Sequence, residues 1–189
     1  MYFKNDNYMN YCSSPKRQQL SNAVSRLWME HVFWTREYIK SAASNSPDLY
    51  IVASRLMRNT SDFAKVLKPF FGTQNTMIFQ NLFTAHLEIA AQLVKAAKAG
   101  DSAASDEARR KWYANADEIA AFLHDINPCW NQKIWQEMLY EHLNMTENEA
   151  MQMLSGQFEA STAQFDAIEE EALKMAACMT NGIIRRFEI

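Results

Sequence analysis

Only four glycines (Gly72, Gly100, Gly156, Gly182) and four prolines (Pro15, Pro47, Pro69, Pro128) interrupt the 189 residues of this chain. Between them run long stretches with apolar residues three and four apart. An α-helix repeats every 3.6 residues, so this spacing gathers the apolar side chains on one face. No stretch alternates apolar and polar residues between turn signals, as a half-buried strand does. Few breakers and a single period predict an all-α fold without a sheet.

The breakers divide the chain in order. Residues 1–18 are rich in Asn, Tyr, Ser and Lys, lack a period, and read as a mobile N-terminal arm. The remainder, 19–189, reads as one helical-bundle domain. A long helix is expected over 19–43. Ser46-Pro47-Asp48 then supplies a cap, a first-turn proline and an acid suited to the helix dipole. A short helix to residue 58 follows, and Asn59-Thr60-Ser61-Asp62 starts a second, ending at Pro69 to Gly72. Further long helices are expected over 73–99 and over 101–126. After Asn127-Pro128, a helix over 131–144 precedes a short one to 154, entered through the capping-box spacing of Thr146 and Glu149. The last long helix spans 158–186.

Each half therefore reads as long helix, proline, two short helices, glycine, long helix. Pro47 matches Pro128, Thr60 matches Thr146 and Gly72 matches Gly156, at offsets of 81 to 86. At offset 84, His31 falls on Asn115 and His86 on Glu170. The expectation is an antiparallel four-helix bundle of long helices with two pairs of short helices and a weak internal two-fold repeat.

Composition narrows the function classes. A formal charge of −3 weighs against nucleic acid or an acidic membrane as partner, since both call for a basic surface. No apolar run approaches the roughly 20 residues of a membrane span. The N-terminus lacks the apolar segment of a signal peptide. Cys12, Cys129 and Cys178 are odd in number and show no CxxC spacing, so a reducing cytoplasm is the expected location. The chain contains no GxxxxGK[ST], no GxGxxG and no GxSxG, so neither a nucleotide nor serine hydrolysis is expected. No histidine has Glu three residues before it, which excludes the di-iron Glu-x-x-His signature.

What remains is histidine on apolar stripes. Val24, Leu27, His31, Trp34 and Tyr38 share one face of the first helix. His86 shares a seam with Phe79, Leu82, Ile89 and Leu93, and His142 one with Ile134, Trp135 and Met138. Glu169 and Glu170 lie midway along the last helix. Two or three neutral imidazoles with a carboxylate suit Zn, Mn or Fe(II), so His31, His86, His142, Glu169 and Glu170 are the candidate metal ligands. Glu30, Glu88, Asp117 and Glu141 are candidates to orient the rings. The competing reading is a purely structural polar network inside the bundle. Arg36 is expected beside an acid inside the bundle, with Asp117, Asp166 and Glu169 as candidates, in a salt bridge or an anion clamp. The surplus of Trp and Met predicts a further apolar patch and a homodimer.

Residues 27–36, Trp112-Tyr113-Ala114-Asn115-Ala116-Asp117, Asn127-Pro128, His142-Leu143 with Thr146 and Glu149-Ala150, and Gly182-Ile183 resemble a family of small all-helical proteins of Gram-positive spore-forming bacteria. The resemblance covers about 20–187. Some members carry an acetylglutamate kinase label, although no kinase motif or α/β pattern is present here. Glu30-His31-x-x-Trp34-x-Arg36 is also similar to the Glu-His-x-x-Phe-x-Arg run of a larger family of two helical bundles with bound metal, with Trp in place of Phe. These resemblances imply a helical bundle with a buried His/carboxylate centre, or a non-catalytic structural or interaction protein linked to sporulation.

Overall fold

The computed structural model describes residues 14–189. Five α-helices account for nearly all of them: α1 (Pro15–Ser44), α2 (Leu49–Ala99), α3 (Ser102–Ile126), α4 (Gln132–Leu154) and α5 (Phe158–Phe187). There is no strand among the described residues. Of the expected arm, residues 1–13 lie outside the described residues. Pro15 to Gln18 form the first turn of α1, with Ser14 accepting from the Arg17 N–H and proline where a helix tolerates it.

The architecture corrects the expected four long helices with two pairs of short ones. The segments 49–71 and 132–154 are each one continuous helix. Asn59 and Thr60 do not start a new helix. Asn59 is fully buried and its Nδ2 donates to Leu27 O of α1 at 3.0 Å, and Thr60 Oγ1 donates to Met57 O within its own helix. Thr146 and Glu149 likewise lie inside α4, where Glu149 pairs with Arg36 of α1. Residues with the chemistry of caps are used as contacts within and between helices. Local sequence cannot separate these uses, because both place a small polar side chain beside a backbone group.

The break expected near Gly72 is present. Gly72 adopts φ 76° and ψ 173°, and the two arms of α2 fold back on each other around it. Thr84 Oγ1 donates to Thr60 Oγ1 at 3.2 Å across the arms, and Phe63 meets Phe79 and Phe83 at 6.1 and 5.2 Å between centroids. Glycine is required there because side chains rarely tolerate that backbone region. Gly156, 84 residues later, ends α4 with φ 73°. Each half thus runs helix, helix, left-handed glycine, helix. Trp28 and Trp112 are also 84 apart, and both are buried.

The helices close a ring in which α1 packs on α2 and α5, α3 on α2 and α4, and α4 on α5. The main core runs through it, with Trp28, Phe63, Phe83, Trp112, Trp130, Trp135, Met175 and Met179 buried, and a smaller cluster gathers Ile39, Ala42, Val94, Ala150 and Met153. Where Trp130 meets α5, space is exhausted. Trp130 Nε1 donates to Met179 O at 3.1 Å, and a Cβ at Gly182 would lie 1.8 Å from that same nitrogen. No helix among the described residues is long and apolar enough to cross a membrane.

Candidate functional site

Three of the five helices bring a histidine to the centre: His31 on α1, His86 on α2 and His142 on α4. All three are buried, and all three line one cavity of about 10 Å³ with Trp28, Phe83, Trp135 and Met179 among its other walls. That volume is at the threshold for a single water, about one probe sphere. The apolar stripes predicted for these helices explain the placement, since a residue on the stripe is carried inward whatever its polarity.

Each ring has different partners. His86 Nδ1 lies 2.9 Å from Asn115 Oδ1. Asn115 Nδ2 donates to Leu82 O at 3.1 Å, which fixes the amide so that its oxygen faces the ring. His86 therefore carries its proton on Nδ1 and has Nε2 as its lone-pair nitrogen. His142 Nδ1 stands 3.3 Å from Glu171 Oε2 without hydrogen-bond geometry, and both carboxylate oxygens of Glu171 lack a hydrogen-bond partner among the described residues. His31 Nδ1 is buried and unpartnered too. Its ring meets that of His142 at 5.5 Å, Phe83 at 5.0 Å and the edge of Trp28 at 5.8 Å.

Burial decides the protonation of two of these groups. Desolvation, and then the nearby rings of His142 and His86, hold His31 well below the ordinary imidazole range. Burial and the His142 ring push His86 down to about 3, against the opposing pull of Asn115. Both are neutral at pH 7, the form in which imidazole ligates metal.

The candidate carboxylates are placed differently from expectation. Glu169 is half-buried and Glu170 exposed, so neither reaches the cavity wall. The buried acid is their neighbour Glu171, which lies three residues after Ile168 and four before Met175. The helical period singles it out from the run of three glutamates. Of the residues expected to orient the rings, Glu30 pairs with Arg55 at 3.0 Å, and Asp117 accepts from Gln136 and Tyr140. Glu88 and Glu141 are exposed. The orienting group on His86 is Asn115, the residue that the 84-residue offset pairs with His31.

Arg36 pairs with Glu149 rather than with Asp117, Asp166 or Glu169. It also donates to Ser161 O at 3.1 Å and Thr162 Oγ1 at 3.2 Å, and lies over the Phe165 ring. Burial pushes the Glu149 carboxyl up while Arg36 pulls it down. The guanidinium joins α1, α4 and α5, and of the two alternatives expected for it the structure shows the salt bridge.

As the side chains stand, no three His, Cys, Asp or Glu among the described residues are arranged to hold a metal ion. Phe83 gives the local reason. It touches His31 and, at 6.2 Å, His86, whose own ring contacts are with Phe83 and Trp112. The centre is thus a set of buried His/Glu contacts around a small cavity. Comparison with known proteins adds no identity: no protein-family model, no curated protein and no solved structure matches the chain.

Proposed function

We propose that the histidine-lined cavity is the open form of a mononuclear site for a divalent ion, Zn, Mn or Fe(II). His31, His86 and His142 would be the ligands, and Glu171 and Asn115 the groups that orient them. The observation that carries this reading is that two of the histidines on a shared cavity have a polar side chain set against Nδ1. His86 offers Nδ1 to Asn115 and His142 turns Nδ1 toward a buried carboxylate, so Nε2 is the nitrogen available for ligation in each. Metal-bound histidines characteristically engage their second nitrogen in this way. The 5.5 Å between the His31 and His142 centroids is close to the roughly 5 Å of two imidazoles sharing an ion at about 2.0–2.1 Å. Ligation through Nδ1 of His31 would also give that buried nitrogen the partner it otherwise lacks among the described residues. The short resemblance around Glu30-His31 to a metal-binding helical family leans the same way.

The competing reading is a structural polar centre in a non-catalytic protein, and the position of Phe83 beside both His31 and His86 favours it. Metal analysis distinguishes the two. Purified protein reconstituted with Zn, Mn or Fe(II) should retain about one equivalent after desalting, and His86→Ala or His142→Ala should lose it. Chelator should lower the melting temperature of the loaded protein, because an ion bound only by the folded state stabilises it. Retention below a tenth of an equivalent for all three ions, with a melting temperature indifferent to chelator, assigns the centre to structure alone.

A further inference from the structure

A second and much larger cavity, of about 280 Å³, opens between α1, the second arm of α2, the start of α3 and the end of α4. It exists because small residues stand on its walls where a bundle needs large ones to close: Ala90, Ala91 and Ala97 on α2, Ser105 on α3 and Ala150 on α4. Ile39, Leu87, Leu93 and Val94 make the rest of the lining largely apolar. By proportion to the roughly 150 Å³ apolar cavity that admits benzene, it has room for on the order of a dozen heavy atoms.

Two buried polar side-chain atoms of the lining residues, Thr146 Oγ1 and Trp112 Nε1, lack a hydrogen-bond partner among the described residues. Thr146 is 5 % exposed and Trp112 is 2 % exposed. An indole N–H only donates and a hydroxyl can donate, so the matching group is an oxygen with two lone pairs. The mouth restricts charge. Arg109, the one basic side chain among the described lining residues, is held by Glu147 at 2.8 and 3.0 Å through Nε and is also paired with Asp106. One cation between two carboxylates has little to offer a carboxylate or phosphate headgroup, and the field it leaves is negative.

We propose that this cavity binds a neutral, mainly aliphatic molecule of about a dozen heavy atoms with a single carbonyl-type oxygen, accepting from Thr146 Oγ1–H and Trp112 Nε1–H. The assignment is independent of metal at the histidine centre. Largely apolar pockets with a few placed polar groups are the usual form of a small-molecule site.

The test compares 2-decanone, decane and decanoate as probes on the full chain, followed by calorimetry and by the indole N–H resonance of Trp112. The ketone should bind one per chain and shift that resonance, with decane and decanoate each about tenfold weaker or more. Thr146→Val should weaken the ketone about five- to tenfold and leave decane unchanged. Ala91→Trp, which fills the cavity, should remove ketone binding while keeping the helical circular dichroism of the parent. Ala97→Phe serves the same purpose if Ala91→Trp does not fold. The proposal is overturned if a folded filling variant binds 2-decanone as the parent does. It is equally overturned if decanoate is the tightest probe, or if none binds up to its solubility limit.

Discussion

The two cavities are linked through the contact of Trp112 with His86 and differ in almost every respect. The Trp112 ring packs on His86 at 5.3 Å and also lines the wide cavity. On one side lies a space of about 10 Å³ walled by three imidazoles and aromatic rings. On the other lies about 280 Å³ walled by alanines and aliphatic side chains. Large rings around the first leave little freedom, so its polar atoms must find partners in place or go without. Small residues around the second leave volume that the protein's own side chains do not fill. Tight polar packing and loose apolar packing make opposite demands on substitution, and that contrast can be tested.

The largest effect is expected from adding one methyl group on the tight side. Gly182→Ala would drive a Cβ into Trp130, which is fully buried and packs on Trp135, itself a wall of the histidine cavity. The clash involves a ring with no space to retreat, so the loss should be about 4 kcal/mol, above the usual overpacking range. Ala91→Leu adds more volume on the wide side and should change stability by less than about 0.5 kcal/mol. Urea denaturation of both variants decides it. Equal losses would erase the distinction between the two regions.

Next comes the buried pair. His142→Leu leaves Glu171, 2 % exposed, without its nearest basic neighbour, and should cost about 3 kcal/mol. Adding Glu171→Leu should recover most of that loss, because an apolar pair of similar size no longer buries an unpartnered carboxyl. A double variant no more stable than His142→Leu would show that the carboxyl is accommodated by some other means.

How far each region was legible in the sequence follows from the same contrast. His31, His86 and His142 are polar residues on apolar stripes, so the period alone carries them inward and three convergent rings could be read. Glu171 is readable by the same rule, but it stands in a run of three acids in which Glu169 and Glu170 offer the same chemistry. Asn59 and Thr146 misled because a helix start and a helix interior contact use the same side chains. The wide cavity left no signal. Ala90, Ala91 and Ala97 are good helix formers, and a helical pattern does not say whether the space beside an alanine is filled. The partnership of Arg36 with Glu149 crosses 113 positions and depends on how α1 and α4 are packed, which no local pattern encodes.

Between pH 6.5 and 5.5, acid should act on the tight region and leave the wide cavity unaffected. The folded-state pKa of His86 is about 3 and that of His31 is also depressed, so the unfolded chain binds more protons below about pH 6.5. Their contribution to stability is fully present above the unfolded value near 6.5 and is lost as pH falls from there toward 3. Between pH 6.5 and 5.5 the two together should remove on the order of 2 kcal/mol. His86→Leu should reduce the slope by about half, while Ala91→Leu leaves it unchanged. Urea midpoints measured across this interval provide the check, and a parent slope of zero would mean that the rings protonate without leaving the core.

The smallest effect should also have the opposite sign. Thr146→Val replaces a buried hydroxyl that has no partner among the described residues by a methyl group of nearly the same size. Val for Thr is a poor exchange where the hydroxyl is bonded, but here the folded state loses only an unpaired polar atom. Valine and threonine are both β-branched, so helix propensity hardly changes. Without ligand, the variant should gain about 0.5 kcal/mol, since the unfolded chain alone then gives up a hydrated hydroxyl. The same exchange at Thr60, whose Oγ1 donates to Met57 O and accepts from Thr84, should instead lose about 1 kcal/mol. Paired denaturation curves read both signs directly. A loss at Thr146 as large as at Thr60 would mean that its hydroxyl already has a partner in solution, a water in the wide cavity being the one that fits.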